Sequence, residues 1–131
     1  SRTLRFAPFF RPQRRQVNPS DMTTAAKSFL DQAVGTLVQN MPVEEIWLFG
    51  SQATGHAGAD SDVDLLVVLD DQHGLLRPAQ RALQVLRPIR QTQGVDLVAI
   101  PRRTWQERCS RPVGIYSDIL QHGTRIYARQ N

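Results

Sequence analysis

Four residues in the middle of the chain have types and a spacing that can do chemistry together. Gly50 and Ser51 follow a short apolar run, and Asp62 and Asp64 open a second run after ten intervening residues. Side chains two positions apart in a strand project from one face, so both carboxylates can bind one or two divalent cations, and oxygen ligands suit Mg²⁺. A glycine before a turn lets a phosphate approach free backbone N–H groups. The pattern therefore predicts a site for a nucleotide and metal ions.

A third carboxylate, that of Asp96, interrupts the apolar run over residues 95–100. A carboxylate inside a buried strand is costly unless it is paired or binds a metal. If this strand lies beside the one that follows Asp62, the three acids come to the same end of the sheet. Three clustered acids with two metal ions can support in-line nucleotidyl transfer, in which one ion activates the attacking hydroxyl and the other stabilises the leaving pyrophosphate.

The Asp-x-Asp pair alone is a weak indicator of catalysis, because such a pair more often caps a turn at the start of a strand. Its combination with a Gly-Ser pair at a fixed offset is much rarer. If each residue type has a usage of about one in twenty, the expected number of chance occurrences of these four types at set offsets is of order 10⁻³ in a chain of this length. We therefore interpret the combination as a site.

Helix and strand patterns alternate from residue 20 onward, and they indicate which elements carry these side chains. Apolar residues at three- and four-residue spacing predict helices, and short apolar runs predict buried strands. The expected elements are a helix over 26–38 capped by Ser20 or Asp21, strands over 45–49, 63–69 and 95–100, a helix from Pro78, helices over 104–108 and 115–120, and a last stretch over 125–127. Pro88 should end or kink its helix, and Gly123 should end the last one. The fold class is α/β (α+β), a small mixed sheet packed with helices.

Composition restricts the class of protein. The 131 residues have room for one domain. A single cysteine, Cys109, excludes an intrachain disulfide and the usual zinc spacings. The sequence has no apolar run long enough for a membrane span and no signal-peptide pattern, so we expect a cytoplasmic protein without a membrane partner.

Positive charge is concentrated at the N-terminus. The first 19 residues contain five arginines and no acid, which gives them a formal charge of +5. Because the whole chain has a net charge of +4, the other 112 residues have a net charge of −1. With three prolines and no regular period, this stretch predicts a basic irregular extension over residues 1–19, before a folded domain over residues 20–131. We expect its arginines to be solvated; contact with a partner subunit and contact with nucleic acid are the alternatives.

The segment LFGSQATG, which starts at Leu48, and the segment SDVDLLV, which starts at Ser61, together resemble the minimal nucleotidyltransferase (MNT) domains of the DNA polymerase beta superfamily. The resemblance covers roughly residues 22–128. It includes the whole pattern of that family: Gly-Ser, ten residues, Asp-x-Asp, and a later Asp in a strand after a helix. The resemblance implies a polymerase-beta-like fold and Mg²⁺-dependent transfer of a nucleoside monophosphate, most often AMP from ATP, to a hydroxyl.

The same resemblance implies roles for single residues. Asp62 and Asp64 would hold two Mg²⁺ ions, and Asp96 would complete the catalytic metal site and take the acceptor's proton. Gly50 and Ser51 would bind the triphosphate.

One position departs from the family pattern, because Gln52 stands where many relatives carry arginine. Its amide can still bond to a phosphate oxygen, although without charge assistance such a bond is about half as strong. Arg102 and Arg103, after the third strand, could supply the missing charge.

Three other side chains have expected burial. Trp105 lies among charged residues, so we expect it to be partly exposed and available to a partner. Trp47 should lie in the core, and Cys109 should be a buried or half-buried thiol.

The acceptor is expected to come from another molecule, since about 110 folded residues supply only the nucleotide half of larger relatives. Within the resemblance, the usual source is a small all-helical HEPN protein, which forms toxin–antitoxin pairs with MNT domains. The leading hypothesis is an antitoxin enzyme that modifies such a partner. The alternatives are a binding module that neutralises the partner sterically and an enzyme that acts on RNA through the arginine-rich extension. A homo-oligomer is also possible.

Overall fold

The computed structural model describes residues 23–55, 57–58 and 61–130. The expected extension over residues 1–19 and the expected caps Ser20 and Asp21 lie outside these residues. The first described helix is capped instead by Thr23, whose Oγ1 accepts a hydrogen bond from the backbone N–H of Ala26 at 3.2 Å. Thr23 therefore performs the capping that we had expected from Ser20 or Asp21.

Helices and strands alternate through the described residues much as the sequence predicts. They are α1 Thr24–Asn40, β1 Val43–Phe49, α2 Ser51–Thr54, β2 Val63–Leu69, α3 Pro78–Arg90, β3 Val95–Pro101, α4 Arg102–Ser110, α5 Ile115–His122 and β4 Thr124–Ala128. None of these helices is both long and apolar enough to cross a bilayer.

The four strands form one mixed sheet in the order β3-β2-β1-β4. β2 and β3 run parallel and are joined through α3, whereas β1 runs antiparallel to both of its neighbours, β2 and β4. The two central strands are buried along almost their whole length, which explains why they read as continuous apolar runs. The predicted fold class, a small mixed sheet packed with helices, is confirmed.

Helices cover both faces of this sheet. α1 and α3 pack on the face to which Val63, Leu65 and Val67 point. Leu66 and Val68 point to the opposite face, where α4 and α5 pack. Because side chains alternate along a strand, the apolar run of β2 supplies both layers of the core.

The structure contradicts our expectation for Trp105, which is fully buried. Its ring packs against that of Trp47 with centroids 5.4 Å apart, so Trp47 lies in the core as predicted. Trp105 and Cys109 are four residues apart and therefore share the face of α4 that covers the sheet, whereas the charged neighbours of Trp105 point outward. The Cys109 thiol is buried as expected, and burial raises its pKa to about 12.

One predicted helix end differs in the structure, and a second is confirmed with a different backbone conformation. Pro88 does not end α3, which continues for two more residues to Arg90 although the proline removes one backbone hydrogen bond of the helix. Gly123 does end α5, but with φ of −80° rather than in the left-handed region. Glycine is needed there for close packing, since a Cβ would lie 2.6 Å from the Ile119 carbonyl oxygen and 3.1 Å from that of Leu48.

Candidate active site

The three aspartates meet at one end of the sheet. The parallel register of β2 and β3 places Asp64 opposite Asp96, and the antiparallel register of β1 and β2 places Phe49 opposite Asp64. Gly50 and Ser51 follow Phe49 directly, and Asp62 lies just before β2. The expectation that the third strand lies beside the second, with its acid at the same end, is confirmed.

Asp64 lies at the centre of this group. The pKa of its carboxyl is raised from 3.8 to about 6, mainly by burial and in addition by the negative charges of Asp96 and Asp62. The three carboxylates therefore repel one another, and a bound cation would relieve that repulsion.

The donor set fits a hard divalent cation, because Mg²⁺ prefers carboxylate oxygens and usually completes its shell with water and substrate phosphates. Within the described ranges, however, no three His, Cys, Asp or Glu side chains lie close enough to form a ready-made metal cluster. An ion at this edge would therefore need ligands beyond the protein's own carboxylates.

The environment of Asp96 differs from what we expected. β3 is an edge strand, and Asp96 is exposed on it rather than buried. The argument that burial makes this carboxylate costly was therefore wrong, although its place beside Asp64 was predicted correctly. Asp62 is also exposed, so Asp64 is the most enclosed of the three.

Two glycines let the carboxylates lie directly against the backbone. Gly50 has φ of +75°, and a Cβ there would overlap Oδ2 of Asp64. A Cβ on Gly94, just before β3, would overlap Oδ1 of Asp62. Sequence reasoning predicted a close approach at Gly50 but not at Gly94. The available signal was the position of Gly94 two residues before Asp96, at the same end of the sheet.

The turn after β1 is held by its own hydrogen bonds. The Gly50 carbonyl accepts from the backbone N–H of Ala53 at 3.0 Å and from Oγ1 of Thr54 at 3.4 Å. Ser51 begins the short α2 and remains partly exposed beside Gly50. The structure thus brings the predicted phosphate-binding pair next to Asp64.

Gln52 is fully buried and is turned away from solvent. Its Oε1 accepts from the backbone N–H of Thr23 at 3.4 Å, and its Nε2 donates to the Ser61 carbonyl at 3.3 Å. In this arrangement the amide joins the start of α1 to the residue before Asp62 and is not presented to a ligand. The expected contact of Gln52 with a phosphate does not fit this geometry.

Arg102 and Arg103 do not supply the missing charge either. They follow the far end of β3, where Arg102 is six residues from Asp96, which is about 20 Å along a strand. Arg102 lies 3.5 Å from the Glu44 carboxylate at that opposite end. Arg103 uses its backbone N–H to donate to Asp71 Oδ1. Their position after the strand, rather than before it, separates them from the aspartates.

A polar cleft of about 330 Å³ lies beside Asp62. Its lining comes from the first two turns of α1, from Ser61 and Asp62, and from residues 89–94. Gln93 holds this region together, because its Nε2 donates to the carbonyls of Ser61 at 3.0 Å and Gly94 at 2.9 Å. Sequence reasoning missed this segment, since a glutamine in a turn carries no distinguishing pattern.

Comparison with known proteins agrees with this geometry. The profile of a family described as "Nucleotidyltransferase domain" matches residues 30–107. A crystal structure assigned as a nucleotidyltransferase from Sulfolobus solfataricus superposes with a TM-score of 0.51 and 21% identity over 82% of this chain and 89% of that chain. At this identity the similarity concerns the fold.

Two further solved structures are toxin–antitoxin complexes. One, with AMP-PNP, has a TM-score of 0.48 and 23% identity over 76% of this chain and 73% of that chain. The other, MntA–HepT, has a TM-score of 0.44 and 21% identity over 79% and 74%. No curated protein matches the chain significantly. Because the family profile covers more than half of the chain and includes the Gly-Ser pair and all three aspartates, the chain belongs to the nucleotidyltransferase domain family, of the polymerase-beta-like type.

Proposed function

We propose that this nucleotidyltransferase moves AMP from ATP, with Mg²⁺, to a hydroxyl of a partner protein, and that the partner is a helical HEPN-type toxin for which this chain is the antitoxin. The observation that supports the reaction most is the position of Asp64. Its carboxylate lies against the Gly50 backbone and interacts with Asp62 and Asp96, so a triphosphate at Gly50 would lie beside all three acids.

In the proposed reaction the acceptor oxygen forms a bond to the α-phosphorus of ATP while the bond from that phosphorus to the bridging oxygen breaks. Pyrophosphate leaves, and Asp96 takes the proton of the acceptor hydroxyl. Asp62 and Asp64 would hold the metal, and Gly50 and Ser51 would hold the triphosphate. Mg²⁺, when bound, supplies neutralisation of phosphate charge and a lowered pKa for the attacking hydroxyl.

The exposure of Asp96 supports its role as the proton acceptor. It lies on an edge strand with its side chain in solvent, so an acceptor on a second molecule can reach it. Asp64, which is more enclosed, suits a permanent metal ligand. The protein acceptor and its HEPN type rest on the sequence resemblance to MNT domains.

The test uses the full chain, Mg²⁺, and ATP labelled in either the α- or the γ-phosphate, with lysate of the source cells. We expect label from the α-phosphate only, in a product that protease destroys and ribonuclease does not. Asp64→Asn should lose this transfer. Asp31→Asn is the matched control, because Asp31 is an exposed carboxylate on α1 paired only with Lys27 among the described residues.

Each other outcome excludes part of the proposal. Label in a product destroyed by ribonuclease would replace the protein acceptor with RNA. Absence of transfer, with the toxin still neutralised by both wild type and Asp64→Asn, would favour a steric binding module.

A further inference from the structure

The surface of α3 has a charge unlike that of the other elements. Residues 72–95 contain no aspartate or glutamate and four arginines, Arg77, Arg81, Arg87 and Arg90. α4 also carries arginines, but Glu44, Asp71 and Glu107 lie on it or contact it. No carboxylate within residues 72–95 therefore offsets the positive charge of α3.

Three of these four arginines are exposed, and Arg90 is half-buried. Ala82 and Leu86 bury the inner face of the helix, whereas Arg77, Arg81 and Arg87 are exposed. Across the described part of the chain, none of the four arginines forms an ion pair with a carboxylate, unlike Lys27, Arg102 and Arg129. Their guanidinium groups are thus available to an external anion.

Glutamines interleave with these arginines. Gln80, Gln84 and Gln91 are exposed on the same helix and at its end. A shallow cleft of about 350 Å³ lies among them, lined by Gln80, Leu83, Gln84, Arg87 and Arg90. Apart from Leu83 in the cleft and the exposed Leu76 next to Arg77, this face consists mainly of arginine and glutamine, whereas the core of a protein interface is enriched in aromatic and apolar side chains. Guanidinium groups suit phosphates, and amides can both donate to and accept from a ribose 2′-hydroxyl.

The dimensions of the face suit a polymer rather than a single phosphate. Arg77 and Arg90 are thirteen positions apart, which is about 20 Å along a helix and spans several successive phosphates of one strand. Arg90 lines this cleft and also the cleft that contains Asp62. The arginine face therefore continues to the edge of the active site.

We propose that the exposed face of α3 binds the phosphate backbone of single-stranded RNA. The proposal goes beyond the proposed function and does not depend on it, because it rests on the charge and exposure of α3 and not on the acceptor of the reaction. Binding would be electrostatic and would show little dependence on sequence.

The test measures fluorescence anisotropy of a labelled, unstructured RNA oligonucleotide with the full chain, without ATP, over about 50 to 200 mM salt. The double variant Arg81→Gln/Arg87→Gln is compared with the control Arg103→Gln/Arg111→Gln. Both remove two exposed arginines and leave residues 1–19 unchanged, so any contribution of that segment cancels. Thermal unfolding of both variants establishes that they fold.

We expect the α3 variant to bind RNA more weakly and to lower the slope of log K against log salt by about 1.4 for two lost contacts, while the control keeps the wild-type slope. Equal losses in both variants would overturn the assignment to α3. Equal affinity for DNA of the same sequence would overturn the choice of RNA, and equally effective competition by polyglutamate would indicate an acidic protein surface instead. Because no ATP is present, a negative result leaves nucleotidyl transfer untouched.

Discussion

At the scale of single residues, the site depends on three carboxylates that repel one another and on two glycines that make room for them. Asp64 is the residue that this repulsion affects most, since its side chain is the most enclosed of the three. A metal ligand must be deprotonated, so protonation of Asp64 and binding of a cation compete.

We therefore expect the stabilisation of the protein by Mg²⁺ to be small below pH 6 and to increase above it, because the pKa of Asp64 lies at about 6. Asp96→Asn removes one of the neighbouring negative charges and should move this midpoint to lower pH. Thermal unfolding with and without Mg²⁺ across pH measures it. An unchanged midpoint in the variant would contradict the proposed interaction between the two carboxylates.

Gly50→Ala should disturb the site directly. Its Cβ would overlap the Asp64 carboxylate, and φ of +75° is strained for alanine, so we expect a loss of about 1–3 kcal/mol in the free energy of unfolding together with loss of transfer. Gly35→Ala is the control: nothing lies within 4 Å of a Cβ there, and alanine should stabilise helix α1 by about 0.5–1 kcal/mol. Similar effects of the two substitutions would argue against the close approach at Gly50.

At the scale of elements, the central strand β1 carries a second carboxyl group whose pKa is raised. Glu45 of β1 is 1% exposed, and its Oε1 accepts from Trp47 Nε1 at 2.8 Å. Burial raises the pKa of Glu45 from 4.5 to about 7, against the opposing effects of the Trp47 hydrogen bond and the charge of Arg125. Sequence reasoning placed Glu45 in a strand and did not notice that a buried acid there is costly.

This carboxyl makes the stability of the fold depend on pH. Because the folded state holds the proton more tightly than the unfolded state, stability from Glu45 is complete below about pH 4.5 and is lost as pH rises to about 7. The full effect is at most about 3 kcal/mol. Glu45→Gln should gain stability relative to the wild type as pH rises through this window, as chemical unfolding at several pH values would measure. A difference that stays constant with pH would contradict the assignment.

Periodicity in the sequence predicted the bounds of the helices and strands better than it predicted which elements pack side by side. The bounds of β2 were predicted correctly from the apolar run between Val63 and Leu69, because a central strand is buried on both faces. Trp105 was misjudged because its sequence neighbours are polar, whereas burial on a helix is decided by residues three and four positions away. The edge position of β3, which exposes Asp96, depends on strand order, and the sequence carries no direct signal for it.

At the scale of the whole molecule, the charges of the described residues are unevenly distributed. Acids gather where β2 and β3 begin, arginines follow the exposed face of α3, and the two meet at the cleft beside Asp62. The ion pairs of Glu44 with Arg102 and Arg129 lie at the opposite end of the sheet and fasten α4 and the segment after β4 to β1. At the Glu44 end of the sheet, carboxylates are therefore paired with arginines. At the Asp64 end, neighbouring carboxylates repel one another, and bound metal ions would neutralise their charge.

The measurement that tests this account most directly is the melting temperature of the full chain with ATP and Mg²⁺ compared with ATP and EDTA. Bound ligand at about 100 times its Kd stabilises by about 2.7 kcal/mol, so we expect a rise of several degrees with Mg²⁺, none with EDTA, and none for Asp64→Asn under either condition. Asp31→Asn should respond like the wild type. An equal rise without metal, or an undiminished rise in Asp64→Asn, would contradict the claim that these aspartates form a metal-dependent nucleotide site.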